Sequence, residues 1–579
     1  MNILKKINYI LTRRQKRRAV VLLFLIIVGA VLELLGVAAI MPVISVASTP
    51  ESIENTQYLK YIYEFFQMES REKFLVFLCA SLIVIYILKN LYLLFVRHMQ
   101  NVFVYNNQYR LACELTEYYV SQPYIYHANR NRSEVIQSVS GDNSMFFQAL
   151  SAVLQIATEG VICMTLIAGL LVTDIVLTIA TGVVFLVFMC TFVKMTRKQV
   201  SFYGAKAREY DKKMLMKLYQ IFGGIKDIKV LEREGYFKGS YYREYDGNVR
   251  YLKKYKFVLM LPSPIMESVL VGGLLSVLIV KIVNGADIQS LVPMLAAFAV
   301  AAFRILPSVN RMTLGINQLT YNKVAVDKIY PAIKEAREKG AQKHDVIQKN
   351  GEDNLCFERE IKVENITFSY PEREEKVLDR VDLSIPKNKS VAFVGPSGAG
   401  KTTLTDVILG VLTPVEGRVL CDDININDCM SAWHAKVGYI PQNVFLLDDT
   451  IRNNIAFGIP EQEIDDVRVN EALKEAQLLD FVEGLSNGVN TSIGECGSRL
   501  SGGQKQRIGI ARALYTNPEI LVMDEATSAL DNDTESAVME AVNELAGKKT
   551  LIIIAHRLST IEKCDTVYEI KNGKASLLR

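Results

Sequence analysis

The sequence Gly395-Pro-Ser-Gly-Ala-Gly-Lys-Thr402 is the most informative motif for the architecture of the C-terminal part of this 579-residue chain. It follows a β-branched run at 390–394 and precedes a helical pattern from Thr403, which is the strand–loop–helix context of a phosphate-binding loop. Glycines let successive backbone N–H groups surround phosphate oxygens, and the helix N-terminus adds positive potential. The residues predicted to hold nucleotide phosphates are Gly395, Pro396, Ser397, Gly398, Ala399, Gly400, Lys401, Thr402 and Thr403. Lys401 would reach the β- and γ-phosphates, and the Thr402 hydroxyl would bind Mg²⁺.

Two further motifs lie on the C-terminal side of this loop. Leu500-Ser-Gly-Gly-Gln504 opens a helical pattern, and Ile520-Leu-Val-Met-Asp-Glu525 is an apolar strand that ends in two carboxylates. Asp524 suits the coordination shell of Mg²⁺, and Glu525 can orient or deprotonate a water. Short β-branched runs that alternate with helical patterns predict a parallel α/β sheet covered on both faces.

Six apolar runs precede this α/β region, each with at most one charged residue: 19–48, 74–96, 145–173, 175–193, 257–280 and 288–303. Five reach the roughly 18–20 residues that cross a bilayer, and the helical pattern beyond Phe303 extends the sixth. We therefore predict an all-α membrane domain of six helices. Residues 1–18 hold seven Lys or Arg and no acid, which places the N-terminus in the cytoplasm.

The same patterns give the domain boundaries. We expect a cytosolic basic N-terminus at 1–18, a membrane domain at 19–329, a charged linker at 330–360 and an ATPase domain at 361–579. Cytoplasmic loops at 98–144 and 194–256 continue as helical patterns. An external helix near 50–73 either lies in the outer membrane interface or forms a lid that packs on neighbouring spans.

Composition excludes several other classes of protein. Hydrophobic residues make up 50% of the chain and charged residues 22%, so a disordered or collagen-like chain is excluded. The net charge of +4 comes from 66 basic and 62 acidic residues, which is too balanced to indicate a nucleic-acid partner. The nine cysteines form no CxxC pair, which argues against a zinc or disulfide framework.

The motifs, in this order, resemble the nucleotide-binding domain of ATP-binding cassette (ABC) transporters, and six spans before one cassette resemble an exporter-type half-transporter. The resemblance implies a homodimer that uses ATP and Mg²⁺, because the signature of one cassette completes the phosphate site of the other. It also implies short coupling helices around Gln122-Pro-Tyr124 and within 223–229. The roles it implies are adenine stacking by Tyr370, catalysis by Glu525, His556 and Gln442, Mg²⁺ binding by Thr402, Gln442 and Asp524, and nucleotide contacts in trans by Ser501, Gly502, Gly503, Gln504 and Asp531.

Intramembrane charges point to the cargo. Lys89 and Arg304 lie at the depth of the inner leaflet, and Arg311 follows two turns later, so these three could receive an anionic lipid head. Pairing with Glu33, Glu159 and Glu267, or snorkelling toward headgroups, remains an open alternative. Span one, the external helix and residues 304–311 resemble bacterial flippases of lipid-linked oligosaccharides, the polyprenyl pyrophosphate precursors of protein glycosylation.

The function expected from the resemblance is ATP-driven flipping of such a lipid from the inner to the outer leaflet of a bacterial inner membrane, with the ATPase domain in the cytoplasm. Export of other lipids, drugs or peptides is the alternative. A third hypothesis is a non-transporting ATPase that acts on DNA or ribosomes, and the six apolar runs argue against it.

Overall fold

The computed structural model describes the chain except residues 1–2, 49–52, 54–55, 69, 174, 284–287, 344–354, 372–374, 495–496, 525–538, 541 and 556–560. The chain forms two compact units, the first containing residues 1–121 and 131–340 and the second residues 122–130 and 341–579. The described helices up to residue 343 are α1 (Ile3–Ile10), α2 (Arg13–Ala38), α3 (Ile40–Ser48), α4 (Gln57–Phe65), α5 (Arg71–Val120), α6 (Tyr124–Ala128), α7 (Arg132–Gln137), α8 (Asn143–Thr173), α9 (Ile175–Gly223), α10 (Ile225–Val230), α11 (Glu234–Met260), α12 (Pro262–Val283) and α13 (Ile288–Lys343).

The first unit is helical, as predicted. Four described stretches are long and apolar enough to cross a membrane: Arg13–Ala47, Arg71–Val120, Glu134–Val172 and Glu234–Gly273. Helices α9 and α13 cover the two other predicted runs. Helices α5 and α9 have 50 and 49 residues, or about 75 Å at 1.5 Å per residue, which is more than twice the hydrocarbon thickness of a bilayer. Both therefore extend well beyond the membrane.

The basic N-terminus, predicted as a cytosolic segment over 1–18, is largely helical. Helix α2 starts in a capping box, in which the Gln15 N–H donates to the Thr12 hydroxyl and the Thr12 N–H donates to the Gln15 side chain at 2.7 Å. Helix α1 is held at its C-terminal end by Arg337, whose guanidinium donates to the carbonyls of Tyr9 at 3.0 Å and Ile10 at 2.8 Å. Lys6 forms a further ion pair with Asp327 at 2.8 Å.

Helix α13 extends to Lys343, so the first part of the segment predicted as a linker over 330–360 is helical. The reason is a buried stripe at helical spacing, because Val326, Ile329 and Ile333 are fully buried. Charged residues on the opposite face hide this stripe when composition alone is considered. The next described element is the strand that starts at Glu360.

The external helix is α4, and it packs by one face only. Leu59 is buried against Val46 and Phe74, whereas Tyr61 and Phe65 are exposed and stack on each other at 6.2 Å between ring centroids. The packing of Leu59 matches the predicted lid. The exposed rings are also typical of a helix at a membrane interface.

The second unit contains two sheets in its described part. The strands are β1 (Glu360–Phe368), β2 (Leu378–Pro386), β3 (Ser390–Val394), β4 (Glu416–Cys421), β5 (Ile424–Asn425), β6 (Val437–Ile440), β7 (Ile520–Asp524), β8 (Thr550–Ile554), β9 (Thr566–Lys571) and β10 (Lys574–Leu577). One sheet has the order β10-β9-β3-β8-β7-β6 and the other β2-β1-β4-β5. In the larger sheet every pair from β9 to β6 is parallel, and β10 is antiparallel to β9.

Burial on both faces of the larger sheet confirms the predicted α/β architecture. In β3, Val391 and Phe393 belong to one core cluster and Ala392 to the other, because successive side chains point to opposite faces. The described helices of this unit are α14 (Lys401–Ile408), α15 (Met430–Lys436), α16 (Ile451–Ile455), α17 (Asp466–Glu475), α18 (Leu479–Glu483) and α19 (Gly502–Tyr515). The chain's one tryptophan, Trp433, is fully buried in the cluster with Phe393.

A carboxylate fixes the start of β3. Asp565 accepts hydrogen bonds from the Ser390 N–H and hydroxyl, both at 2.9 Å, and pairs with Lys389 at 3.1 Å. The backbone hydrogen bond from Ser390, with help from its hydroxyl and from Lys389, holds the pKa of Asp565 below its usual value. Strand β3 leads directly into the phosphate-binding loop.

Candidate functional site

The loop at 395–400 has the backbone conformation that a phosphate cradle requires. Gly395, Gly398 and Gly400 have φ of 142°, 79° and 101°, in the region that favours glycine. A Cβ at Gly395 would lie 2.1 Å from the Ile570 carbonyl oxygen, so no side chain fits there. The loop ends at Gly400, where α14 begins. The N-terminus of α14 therefore follows directly on the glycine turn, in the order that binds phosphate in such loops.

Lys401 is buried at the base of this loop. Its ammonium donates to the carbonyls of Gly395 at 2.9 Å and Pro396 at 3.0 Å. These contacts hold the charge against the loop, where it would meet the β- and γ-phosphate oxygens. Tyr370 lies beside the same helix, with its hydroxyl 3.3 Å from the Thr403 hydroxyl and its ring edge-on to Phe368.

The sheet brings Asp524 to the same edge as the loop. In the parallel register Asp524 pairs with Ile554, which in turn pairs with Phe393, two residues before Gly395. Asp524 is buried, and its charge acts on Asp406 of α14. Burial, with the charge of Asp524 as the smaller cause, raises the pKa of the Asp406 carboxyl to about 6. The Asp524 carboxylate and the hydroxyl of Thr402, in the first turn of α14, are oxygen donors of the kind that Mg²⁺ binds.

The signature motif forms the N-terminus of α19. The Ser501 hydroxyl accepts from the Gln504 N–H at 3.3 Å, and the Ser501 N–H donates to the Gln504 side chain at 2.8 Å. This capping box leaves the exposed residues Ser501 and Gly502 at the positive end of the helix dipole. The geometry suits an anion presented from outside the chain.

Two side chains of α19, which the sequence analysis missed, tie the signature helix to the segment after β6. Gln506 donates to the Pro441 carbonyl at 3.2 Å. Arg512 donates to the carbonyls of Phe445 and Asn454, both at 2.8 Å, and its burial lowers its pKa to about 10. Gln506 and Arg512 are six residues apart, which does not match the three- or four-residue spacing of one helix face, so the sequence did not single them out as a pair.

The other predicted residues of the ATP site divide into two groups. Gln442 lies exposed on the segment that Gln506 anchors. Glu525, Asp531 and His556 lie outside the described residues. Asp406 was also missed in the sequence analysis, although its position one turn beyond Lys401 on the same helix could have drawn attention to it.

The predicted coupling segment at 122–124 belongs to the ATPase unit. Residues 122–130 group with the second unit although α5 and α7, on either side, belong to the first. Within the second unit Ile125 of α6 packs against the core cluster that contains Phe393 and Trp433. The second predicted coupling segment is the short helix α10, whose Val230 side chain is exposed.

The intramembrane cations are paired with glutamates. Glu33 of α2 is 2% exposed and pairs with Lys89 of α5 at 3.3 Å and also with Arg304 of α13. Arg311 makes a two-point contact with Glu159, in which the second bond is 3.1 Å long. These pairs correspond to the alternative that the sequence left open, and they give the two groups different charges. Arg311–Glu159 is neutral, whereas the Glu33 cluster carries one net positive charge.

The local packing around Glu33 makes room for the second cation. Gly36 lies one turn beyond Glu33 and has no side chain. A Cβ at this position would lie only 3.3 Å from the Lys89 ammonium nitrogen. That ammonium also lies 4.2 Å from the centroid of the Tyr86 ring. Sequence reasoning identified the three cations but could not tell that two of them share one carboxylate.

Comparisons with known proteins agree with this geometry. Residues 378–528 match the family model described as ABC transporter. The ATP-dependent lipid A-core flippase of Cupriavidus pinatubonensis is 34% identical over 61% of this chain and 59% of its own length. The proteins of the same name from Desulfotalea psychrophila and Escherichia coli K12 are 31% and 41% identical over 64% and 40% of this chain, and over 63% and 40% of their own lengths. The matches thus span about 40 to 63% of these relatives.

A solved structure of a bacterial Atm1-family ABC exporter with ATP bound is similar over 97% of this chain and 94% of its own, with a TM-score of 0.71 and 21% identity. This likeness confirms the predicted fold, a helical membrane domain joined to a P-loop ATPase domain. The residues that match the ABC transporter family model lie within the second unit and include its phosphate-binding loop, signature motif and strand β7. The whole chain has the fold and domain order of this ABC exporter, with long apolar helices that precede a P-loop domain.

Proposed function

We propose that this protein is an ATP-driven translocase that moves a lipid with an anionic headgroup from the inner to the outer leaflet of a bacterial inner membrane. The observation that carries this proposal is the membership of residues 122–130 in the ATPase unit. A segment between two long helices of the membrane unit is part of the fold that would bind ATP. Residues 122–130 therefore connect the ATPase unit covalently to the helices on either side of them.

In the proposed mechanism, the loop amides and Lys401 orient the ATP phosphates, and Tyr370 stacks on the adenine. Thr402, Asp524 and Gln442 would hold Mg²⁺, which when bound would neutralise charge on the phosphate oxygens. Glu525 orients the attacking water and accepts its proton, and His556 contacts the γ-phosphate. Ser501 and the N–H groups of α19 contribute from the other chain of a homodimer, together with Gly503, Gln504 and Asp531.

The catalytic assignment is tested by Glu525→Gln. We expect ATP binding to persist and hydrolysis to fall about 10²–10⁴-fold, the usual contribution of a positioned base. Glu519→Gln is the matched control, because Glu519 precedes the same strand β7 at its opposite end and pairs with Lys436 at 2.5 Å. Equal ATPase rates in both variants would disprove the role of Glu525.

The homodimer is tested by mixing two inactive chains. A Lys401→Ala chain and a Ser501→Arg chain should each be inactive alone. Coexpressed, they should regain part of the wild-type ATPase rate, because a composite site needs Lys401 from one chain and Ser501 from the other. If each chain used its own signature, the mixture would remain inactive.

The cargo proposal rests on the net charge of the Glu33 cluster. A buried charge without a partner is expensive in a membrane unless it faces water or a counter-ion. Lys89 and Arg304 share the Glu33 carboxylate, and the Arg304 side chain is 25% exposed. The two cations can therefore donate hydrogen bonds to a phosphate oxygen as well. The planar guanidinium fork of arginine binds phosphate through two parallel N–H donors, so a phosphate-bearing headgroup is a fitting ligand for Arg304.

Among phosphate lipids we propose a polyprenyl pyrophosphate oligosaccharide of the protein-glycosylation type. Resemblance to flippases of such lipids supports this choice. A different phosphate glycolipid is the second candidate, because the curated relatives are named lipid A-core flippases. Drugs and peptides are less compatible with a cationic cluster in the inner half of the bilayer.

Single substitutions separate the cargo role from a packing role. Arg304→Gln and Lys89→Gln each leave Glu33 paired with the other cation and remove the excess charge. We expect each variant to keep basal ATPase and thermal stability but to lose stimulation and flipping by pyrophosphate lipids in proteoliposomes. Flipping is also assayed with three comparison substrates: a neutral lipid, lipid A-core, and phosphatidylglycerol. Their flipping rates distinguish the candidate cargoes. Unchanged flipping of pyrophosphate lipid by both variants would contradict the cargo site.

A further inference from the structure

The first two turns of α2 carry four exposed arginines, at positions 13, 14, 17 and 18. No acidic residue lies in the first turn of this helix, and the positive end of the helix dipole is at the same place. Arg13 and Arg17 form no ion pair with any residue that the structure describes. The positive charge of these arginines and of the helix N-terminus therefore favours binding of an anion at this end of α2.

Arg13 and Arg17 share their face of α2 with its membrane-exposed apolar side chains. At about 100° per residue, both lie within roughly 30° of the line through Phe24. The stripe that continues this line is 45–66% exposed and consists of Val20, Phe24, Ile27, Val31 and Leu35. Arg14 and Arg18 are rotated away from it by about 80–120°.

The stripe is long enough to cover one lipid leaflet. From Val20 to Leu35 the stripe is about 22 Å long at 1.5 Å per residue, which covers the inner half of the roughly 30 Å hydrocarbon core and extends somewhat beyond its midplane. A molecule that fits this surface has an acyl chain along the stripe and a negative group at its cytoplasmic end. A phospholipid of the inner leaflet with a net negative headgroup meets both conditions.

We propose that Arg13, Arg17 and the apolar stripe of α2 form a binding surface for an anionic phospholipid, such as phosphatidylglycerol, of the inner leaflet. This lipid is a bound partner and not the transported cargo, because its site faces outward from α2, whereas Glu33 on the same helix is buried. The orientation of a membrane helix depends on positive charge near its cytoplasmic end, whichever face of the helix carries it. Binding of a lipid to this surface requires the arginines to lie on the same face as the apolar stripe.

The bound lipid would stabilise the contacts that hold the N-terminal helices to α13. Helix α1 ends three residues before Arg13, and Arg337 of α13 binds its last carbonyls and pairs with Glu114 at 2.8 Å. A ligand of the folded arrangement stabilises it by mass action. Saturating phosphatidylglycerol should therefore raise the melting temperature of the wild-type membrane unit.

Two double variants with equal charge test the proposal in the purified full-length protein without nucleotide. Binding of phosphatidylglycerol is measured by native mass spectrometry, with phosphatidylcholine as the reference lipid. Each membrane-proximal cation contributes about fivefold to affinity for an anionic surface, so Arg13→Gln with Arg17→Gln should weaken binding about 30-fold. Arg14→Gln with Arg18→Gln should weaken it clearly less, and phosphatidylcholine should bind equally to all three proteins.

The comparison is independent of the cargo proposal, because it needs neither ATP nor transport. Both variants keep the same net charge, so effects on insertion and topology cancel between them. Equal losses in the two double variants would overturn the proposal in favour of non-specific attraction. Absence of phosphatidylglycerol binding by the wild type would also overturn it and would indicate that a second copy of the chain covers the stripe.

Discussion

Glu33→Gln is the sharpest perturbation of the membrane unit, because it removes the one carboxylate that Lys89 and Arg304 share. Two cations would then lie side by side without that counter-charge. Breaking a buried ion pair by removing one partner costs about 3–5 kcal/mol in soluble proteins. Arg304 is partly exposed and can be hydrated, so we expect a loss near the lower limit, about 3 kcal/mol.

The assay is unfolding of the purified protein in mixed micelles with increasing dodecyl sulfate, followed by far-ultraviolet circular dichroism. Glu267→Gln is the matched control, since Glu267 lies in α12 and its side chain is exposed. The double variant Glu33→Gln, Lys89→Gln has the same net charge as the wild-type cluster and should recover part of the stability. If Glu33→Gln unfolds at the same dodecyl sulfate fraction as Glu267→Gln, the cluster does not stabilise the membrane unit and the reasoning is wrong.

Three further predictions concern the ATPase unit, whose unfolding can be followed by the fluorescence of the single, buried Trp433. Gly395→Ala should abolish ATP binding because its Cβ would meet a carbonyl oxygen. The Cβ of Gly398→Ala would meet no atom within 4 Å, so this control should cost only about 1–3 kcal/mol of backbone strain, and similar ATP binding by both variants would contradict the role of Gly395. Arg512→Met should destabilise the unit by about 1–3 kcal/mol because it removes the donors from the partly buried Asn454 carbonyl and the exposed Phe445 carbonyl, and a melting temperature equal to wild type would refute it. Asp565→Asn should destabilise the unit at pH 7. Since the folded pKa of Asp565 is lowered, the difference from wild type should be constant above about pH 4, the usual pKa of the unfolded carboxyl, and should shrink as the pH falls from there through the lower folded pKa; a difference that did not decrease at all below about pH 4 would exclude this cause.

The sequence predicted the ATPase fold well because each motif depends on local chemistry. Positive φ angles are readily adopted only by glycine, so glycines spaced between a strand and a helix predict this loop, and their φ angles agree with the prediction. The signature was recognisable for the same reason, since Ser501 and Gln504 form a capping box within four residues. Local sequence therefore carried enough information to fix these two parts of the site.

Other features depended on contacts between residues far apart in the chain. Arg337 lies more than 300 positions from Ile10, whose carbonyl it binds, so no pattern near either residue could reveal the contact. The polar start of the predicted linker is helical because of three buried residues spaced over two turns of α13. Composition over a long window averages out such a narrow stripe, which is why the boundary was placed too early.

The two groups of membrane charges differ in what they can exchange. Arg311 and Glu159 satisfy each other through two contacts, so a ligand could bind Arg311 only by leaving a buried carboxylate without its partner. In the Glu33 cluster, a phosphate oxygen can replace Glu33 as the partner of one cation while the other cation keeps Glu33 paired. Binding of the phosphate at this cluster therefore does not leave a buried charge without a partner, and it does not have to offset that cost. Under the proposed function, we therefore infer that Arg311 has a structural role and that the cargo headgroup binds at Lys89 and Arg304.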